Sequence, residues 1–168
     1  VKANAYGHGA SRLAPVMEEA GADGFCVAML DEGLELRRVQ IVKPILVLGL
    51  QPAEEAALAA ANDISLPVSS LDWLKKAEKV LRKEGLQLKI HLAIDSGMGR
   101  IGCATADASA LARKIARDRH LRLDGITTHL AVADSSASDD IRYTNEQIAR
   151  FSATVDAIRA EGIDPGIV

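Results

Sequence analysis

The chain is poor in cysteine. Cys26 and Cys103 are its only thiols, and neither lies in a C-x-x-C pair or at a histidine spacing that would hold zinc. A disulfide framework and a metal site are therefore not expected; both thiols, flanked by apolar or small residues, are expected to be free and buried. No apolar run approaches the roughly 20 residues of a membrane span, and no signal-peptide pattern is present. The expectation is a cytoplasmic protein with no membrane partner. An excess of one charge is also missing: 20 Lys and Arg face 23 Asp and Glu, so neither a nucleic-acid footprint nor a polybasic patch is present. There is no linker, low-complexity tract or internal domain boundary, and no initiator methionine. Val1 reads as the tail of one strand and Pro165-Gly166-Ile167-Val168 as the start of another, so an internal stretch of a longer protein is expected.

What is present is a globular composition, 168 residues of which 48% are hydrophobic, enough for one domain with a real core. Short β-branched or apolar runs read as strands over Gly24 to Ala28, Ile45 to Leu48, Ile64 to Val68, Leu88 to Ile94 and Leu121 to Thr127. Helices are expected between them over Ser11 to Ala20, Leu30 to Val39, Pro52 to Ala61, Leu71 to Lys83 with Ser70 as cap, and Ala106 to Arg117. A last helix, Tyr143 to Ala160, carries Ile148, Phe151, Val155 and Ile158 on one stripe. A repeated βα unit calls for a parallel sheet, either closed as a barrel or open and doubly wound; periodicity leaves both open.

The segment Val1-Lys2-Ala3-Asn4-Ala5-Tyr6-Gly7-His8-Gly9 puts a lysine at a strand end before small residues. An amine there points into the mouth of an α/β sheet, where partial desolvation would favour the free amine that a Schiff base needs. Two more segments fall at strand C-termini: Asp95 to Gly102 and His129 to Asp134. In a parallel α/β fold that places all three on one side, facing one shared pocket.

Lys2 to Gly9, with Asp95-Ser96-Gly97-Met98-Gly99-Arg100-Ile101-Gly102 and Gly125-Ile126-Thr127-Thr128-His129-Leu130-Ala131, resembles the alanine racemase family in motif order and spacing. The resemblance implies a partial (β/α)8 TIM barrel, roughly six of eight βα units, with residues 1–168 an incomplete N-terminal barrel domain that lacks a C-terminal β domain. It implies an isomerase that interconverts L- and D-alanine with pyridoxal 5'-phosphate, supplies D-alanine for peptidoglycan and works as a homodimer. By the same resemblance Lys2 is the Schiff-base lysine and one of two acid/bases, the second being a partner-subunit tyrosine outside this sequence. Tyr6 reaches the cofactor's phosphate end, Arg100 lies beside its phenolic oxygen and contacts the substrate carboxylate, and His129 stands against its ring. The fragment by itself is expected to be inactive.

Gly97-x-Gly99-x-x-Gly102 also fits the dinucleotide fingerprint, with Asp124 about twenty residues on. It reads as a decoy: Asp124 precedes the apolar core of its strand, Ile126 onward, instead of terminating it, and Arg100 inside the glycine loop would crowd the helix start. Among the remaining histidines, His91 reads as packing or surface, His8 as a turn cap and His120 as a helix-end residue. One position departs from the family pattern. Ala93 stands where many members carry a carbamylated lysine that orients the arginine, so a small anion or neighbouring polar group is expected to hold Arg100. Ala93 also keeps open a broader-specificity amino acid racemase. A pyridoxal-phosphate-binding barrel without turnover is the non-catalytic alternative, against which Tyr6-Gly7-His8-Gly9 argues.

Overall fold

A computed structural model describes residues 1–168 throughout. Six strands form one parallel sheet: β1 (Phe25–Val27), β2 (Ile45–Val47), β3 (Ile64–Val68), β4 (Leu88–Asp95), β5 (Cys103–Ala104) and β6 (Leu121–Thr127). They pair β1 to β2 to β3 to β4, and β6 lies along β4 while the two-residue β5 joins the end of β4. Each βα step thus moves the chain on in one direction without the reversal of a doubly wound sheet. The architecture is a partial TIM barrel. Ile167 makes a single parallel bridge to Gly125 on β6, the strand start expected from Pro165 to Val168.

Apart from a left-handed first turn, α1 (Lys2–Tyr6), the helices are α2 (Ala10–Glu19), α3 (Leu30–Arg38), α4 (Ala56–Ala61), α5 (Leu71–Glu84), α6 (Thr105–Ala116) and α7 (Ser138–Ala160). Their buried faces cover one side of the sheet, where Val27, Val47, Leu66, Leu92 and Ile94 lie fully or almost fully buried. The Ser70 cap is formed, its hydroxyl accepting the Trp73 N–H at 3.3 Å. Arg37, at the end of α3, donates to the carbonyls of Ile41, Lys43, Asn62 and Asp63 and ties together the N-terminal ends of β2 and β3.

Several expectations need correction. Val1 is not itself part of a strand, but its amine donates to the Cys26 carbonyl of β1 at 2.9 Å. The helix expected from Pro52 is a 3-10 turn, Ala53–Glu55, before the short α4. The last helix begins at Ser138, where Asp139 and Asp140 complement the positive N-terminal end of its dipole. On that helix Ile148 is 46% exposed, and the buried stripe runs instead through Gln147, Thr154, Val155 and Ile158. Cys103 is buried but Cys26 is exposed: it alternates with the buried Phe25 and Val27 and faces away from the helices.

Candidate active site

At the C-terminal ends of the strands a cavity of about 260 Å³ opens, lined by Lys2, Arg100 and His129 together with Ala93, Ile94 and Pro67, among others. The fold therefore brings together a primary amine, a guanidinium and an imidazole from three separate segments. Tyr6 is not in the lining. Its ring is 73% exposed rather than packed beneath a helix start, and the Lys2 Nζ lies 5.9 Å from its centroid. Among these residues Lys2 is itself exposed, at the start of a turn that Val1 ties to β1.

The turn bearing Lys2 is unusual backbone. Ala3, Asn4, Ala5 and Tyr6 have φ of 52°, 52°, 53° and 54°, consecutive left-handed residues that cost roughly 1–2 kcal/mol each without glycine. Hydrogen bonds hold the turn: Ala5 N–H to the Val1 carbonyl, Gly9 N–H to the Asn4 carbonyl, and Ala10 N–H to Asn4 Oδ1 at 2.7 Å. Glu32 adds more. Its Oε1 accepts the N–H of Ala3 at 2.6 Å and of Asn4 at 3.4 Å, and its Oε2 accepts those of Ala28 at 2.6 Å and Met29 at 3.3 Å. Partial burial pushes the carboxyl upward, but these N–H groups outweigh it and hold Glu32 below the usual glutamate range.

Arg100 sits in the loop after β4, whose shape is fixed by Asp95. One oxygen of that carboxylate accepts the Gly97 N–H at 2.9 Å and the Gly99 N–H at 3.0 Å. Those bonds, the Gly99 one foremost, draw the Asp95 carboxyl below its ordinary value. They also occupy the amides that a pyrophosphate would need, which supports reading the glycine pattern as a decoy. Gly102 has φ of 129°, and a Cβ there would run into the backbone of Ile94 and Asp95. No carboxylate pairs with Arg100, and Ala93 is buried in the cavity wall.

The sequence reading missed a polar network beneath the two loops. Gln147, with no exposed surface, donates through Nε2 to the His129 carbonyl at 3.3 Å and to Ser96 Oγ at 3.4 Å, and accepts the Ala131 N–H at 2.9 Å. Ser96 and Thr128 share a hydroxyl bond of 2.8 Å, Thr128 donates to the Ile94 carbonyl, and the Tyr143 hydroxyl donates to the Gly97 carbonyl at 2.6 Å. The one sequence signal for Gln147 was its place one residue before Ile148 on the long helix.

Among the other histidines, His120 bonds through Nδ1 to the Leu86 carbonyl at 2.9 Å in the connection before β6, not as a helix end. His8 is exposed, and only its backbone N–H bonds within the turn. His91 is 5% exposed, with Nδ1 unpartnered. No helix is long and apolar enough to cross a membrane, and no cluster of potential metal ligands is present.

Residues 1–168 match the family model described as alanine racemase, N-terminal domain. The alanine racemase of Lactobacillus delbrueckii subsp. bulgaricus is 75% identical over 152 residues, 90% of this chain and 40% of that protein. That of Lactobacillus acidophilus is 54% identical over 153 residues, again 90% and 40%. Among solved structures, the alanine racemase of Clostridium difficile superposes with a TM-score of 0.92 at 33% identity, covering 99% of this chain and 45% of that one. A histidine racemase from Leuconostoc mesenteroides subsp. sake gives a TM-score of 0.83 at 36% identity, covering 90% and 41%. The chain spans about 40% of the length of the curated relatives it matches.

Proposed function

Because this chain belongs to the alanine racemase N-terminal domain family, we propose that the full-length protein interconverts L- and D-alanine with pyridoxal 5'-phosphate, residues 1–168 forming the larger part of its N-terminal barrel. The observation that carries this reading is the convergence of Lys2, Arg100 and His129 on one cavity at the strand ends. The lining suits the cofactor: an amine for the aldehyde, flanking cationic and imidazole groups for an anionic, planar ring, and apolar walls from Ile94, Pro67 and Ala93. When bound, pyridoxal phosphate withdraws electrons from the α-carbon of an amino acid and makes its hydrogen acidic.

Lys2 would hold the cofactor through its amine, and the same amine, when free, would remove or return the α-proton on one face. Arg100 binds the substrate carboxylate by charge-assisted hydrogen bonds and keeps the reacting carbon over Lys2. His129, in the cavity lining, would help hold the cofactor there, and family resemblance would add Tyr6, which lies outside the lining, as a partner for its phosphate. The opposite face needs a second acid/base, which family resemblance assigns to a tyrosine of a second subunit in a cytoplasmic homodimer. D-alanine made in this way serves peptidoglycan.

A second reading, racemisation of larger amino acids, is favoured by Ala93, whose small side chain leaves room at the cavity wall, and by the likeness to a protein named as a histidine racemase. One experiment separates the readings: α-hydrogen exchange into deuterated water, followed by proton NMR, on the full-length gene product with alanine, serine and lysine offered separately. Exchange confined to alanine, with loss of optical activity, establishes the first reading. Exchange with all three establishes the second, and bound cofactor without exchange overturns both.

A further inference from the structure

Lys2 carries its amine on a flexible stem, so only its backbone can fix where that amine works, and that backbone begins a run of left-handed residues. The first N–H groups of the turn, those of Ala3 and Asn4, have no carbonyl partners within it, as at the start of any helix. Glu32 supplies what they lack and with its other oxygen grips Ala28 and Met29, at the end of β1 and the start of α3. Ala28 itself lines the cavity. One carboxylate thus staples the residues after Lys2 to the cavity wall.

We propose that Glu32 is a positioning residue for Lys2, its two oxygens locking the left-handed turn against the end of β1 so that the amine meets the reacting carbon in one fixed place. No salt bridge reaches Glu32, and all of its hydrogen bonds go to these backbone amides. Ahead of Lys2 the Val1 amine bonds the Cys26 carbonyl on β1, and other contacts, such as that of Asn4 with Ala10, close the turn on itself or at its exit; Glu32 alone ties the residues that follow Lys2 to the end of the strand. This inference rests on reading Lys2 as the cofactor-bearing amine.

The test uses the full-length protein loaded with pyridoxal phosphate. In E32Q one oxygen becomes an NH2 group, which confronts one pair of N–H donors with a donor; E32D, one methylene shorter, is the fallback if E32Q does not accumulate folded. R37K is the control, because Arg37 clamps carbonyls at the opposite end of the strands. A displacement of about 1 Å in such a site costs about 100-fold. Glu32 variants are therefore expected to lose at least about tenfold in kcat while KM stays within about threefold, and the visible circular dichroism of the bound cofactor should change. R37K should lose stability with neither effect. A Glu32 variant with wild-type kcat and dichroism, or one that loses stability alone as R37K does, would overturn the proposal. Borohydride trapping with peptide mapping keeps the two levels apart: wild-type cofactor found on a lysine other than Lys2 refutes the underlying reading instead.

Discussion

Gln147 Nε2 meets the carbonyl of His129 at 3.3 Å, so a fully buried amide on the longest helix supports the backbone of a cavity residue. The same side chain reaches Ser96 in the Arg100 loop. Replacing it with alanine strands the Ala131 N–H and the His129 carbonyl, each left unsatisfied at about 1–3 kcal/mol. Q147A is expected to lower the urea midpoint and reduce kcat. Q147E keeps the volume but sets a carboxylate oxygen against the His129 carbonyl, and is expected to rescue neither. Wild-type stability in Q147A would show that the network is slack.

Gly125 faces His91 across the β4 and β6 pairing, and a Cβ there would run into the imidazole and lie 2.8 Å from the Ile167 carbonyl. Overpacking of this kind costs about 1–3 kcal/mol. G125A is expected to lower the thermal midpoint by several degrees, and the double variant G125A/H91A should recover part of the loss. Differential scanning calorimetry of the three proteins decides it.

His91 gives a pH dependence whose sign can be worked out. Burial lowers its pKa in the folded chain, and Asp124 offsets this only in part. The unfolded state, with an ordinary histidine near 6.5, then binds more protons in the window below about pH 6.5. Stability should be complete above that value and fall as the pH drops toward the depressed folded pKa. Urea midpoints at pH 5 and pH 7 are expected to differ more for the wild type than for H91Q. Equal differences would mean that His91 pays no burial penalty.

Burial pushes the Cys103 thiol up to about 11. The reactive thiolate is therefore scarce at neutral pH. Iodoacetamide at pH 8 is expected to leave Cys103 unmodified in the folded full-length protein and to alkylate it once urea unfolds the chain. Mass mapping of labelled peptides reads this directly.

Arg100 has no carboxylate partner and Ala93 offers no charge, so the activity of the full-length protein is expected to depend on a small anion. Replacing chloride with a large inert anion at constant ionic strength should raise the KM for alanine. An unchanged KM would leave Arg100 held by other means.

The alternation of strand and helix was legible in the residues because it is written locally. β-branched runs fixed Ile64 to Val68 and Leu121 to Thr127 to the residue, and Ser70 announced the start of its helix. Lys2, Arg100 and His129 were legible as well, since Arg100 and His129 follow β4 and β6, parallel strands share a C-terminal face, and the turn that begins at Lys2 is tied by Val1 to β1.

Tertiary structure decided what depends on neighbours remote in sequence. Whether a barrel or an open sheet forms rests on strand order, which periodicity does not encode. Cys26 alternates with the buried Phe25 and Val27 and so lies on the face of the sheet opposite theirs, and Gln147 rather than Ile148 turns inward because two loops far back in the chain offer it partners. Glu32 looks like any helix-start carboxylate until the fold carries the Lys2 turn to it across nearly thirty residues. Sequence determines the periodic and turn-forming preferences of each segment; which buried polar groups find one another is settled only when the chain packs, because their hydrogen bonds are non-local.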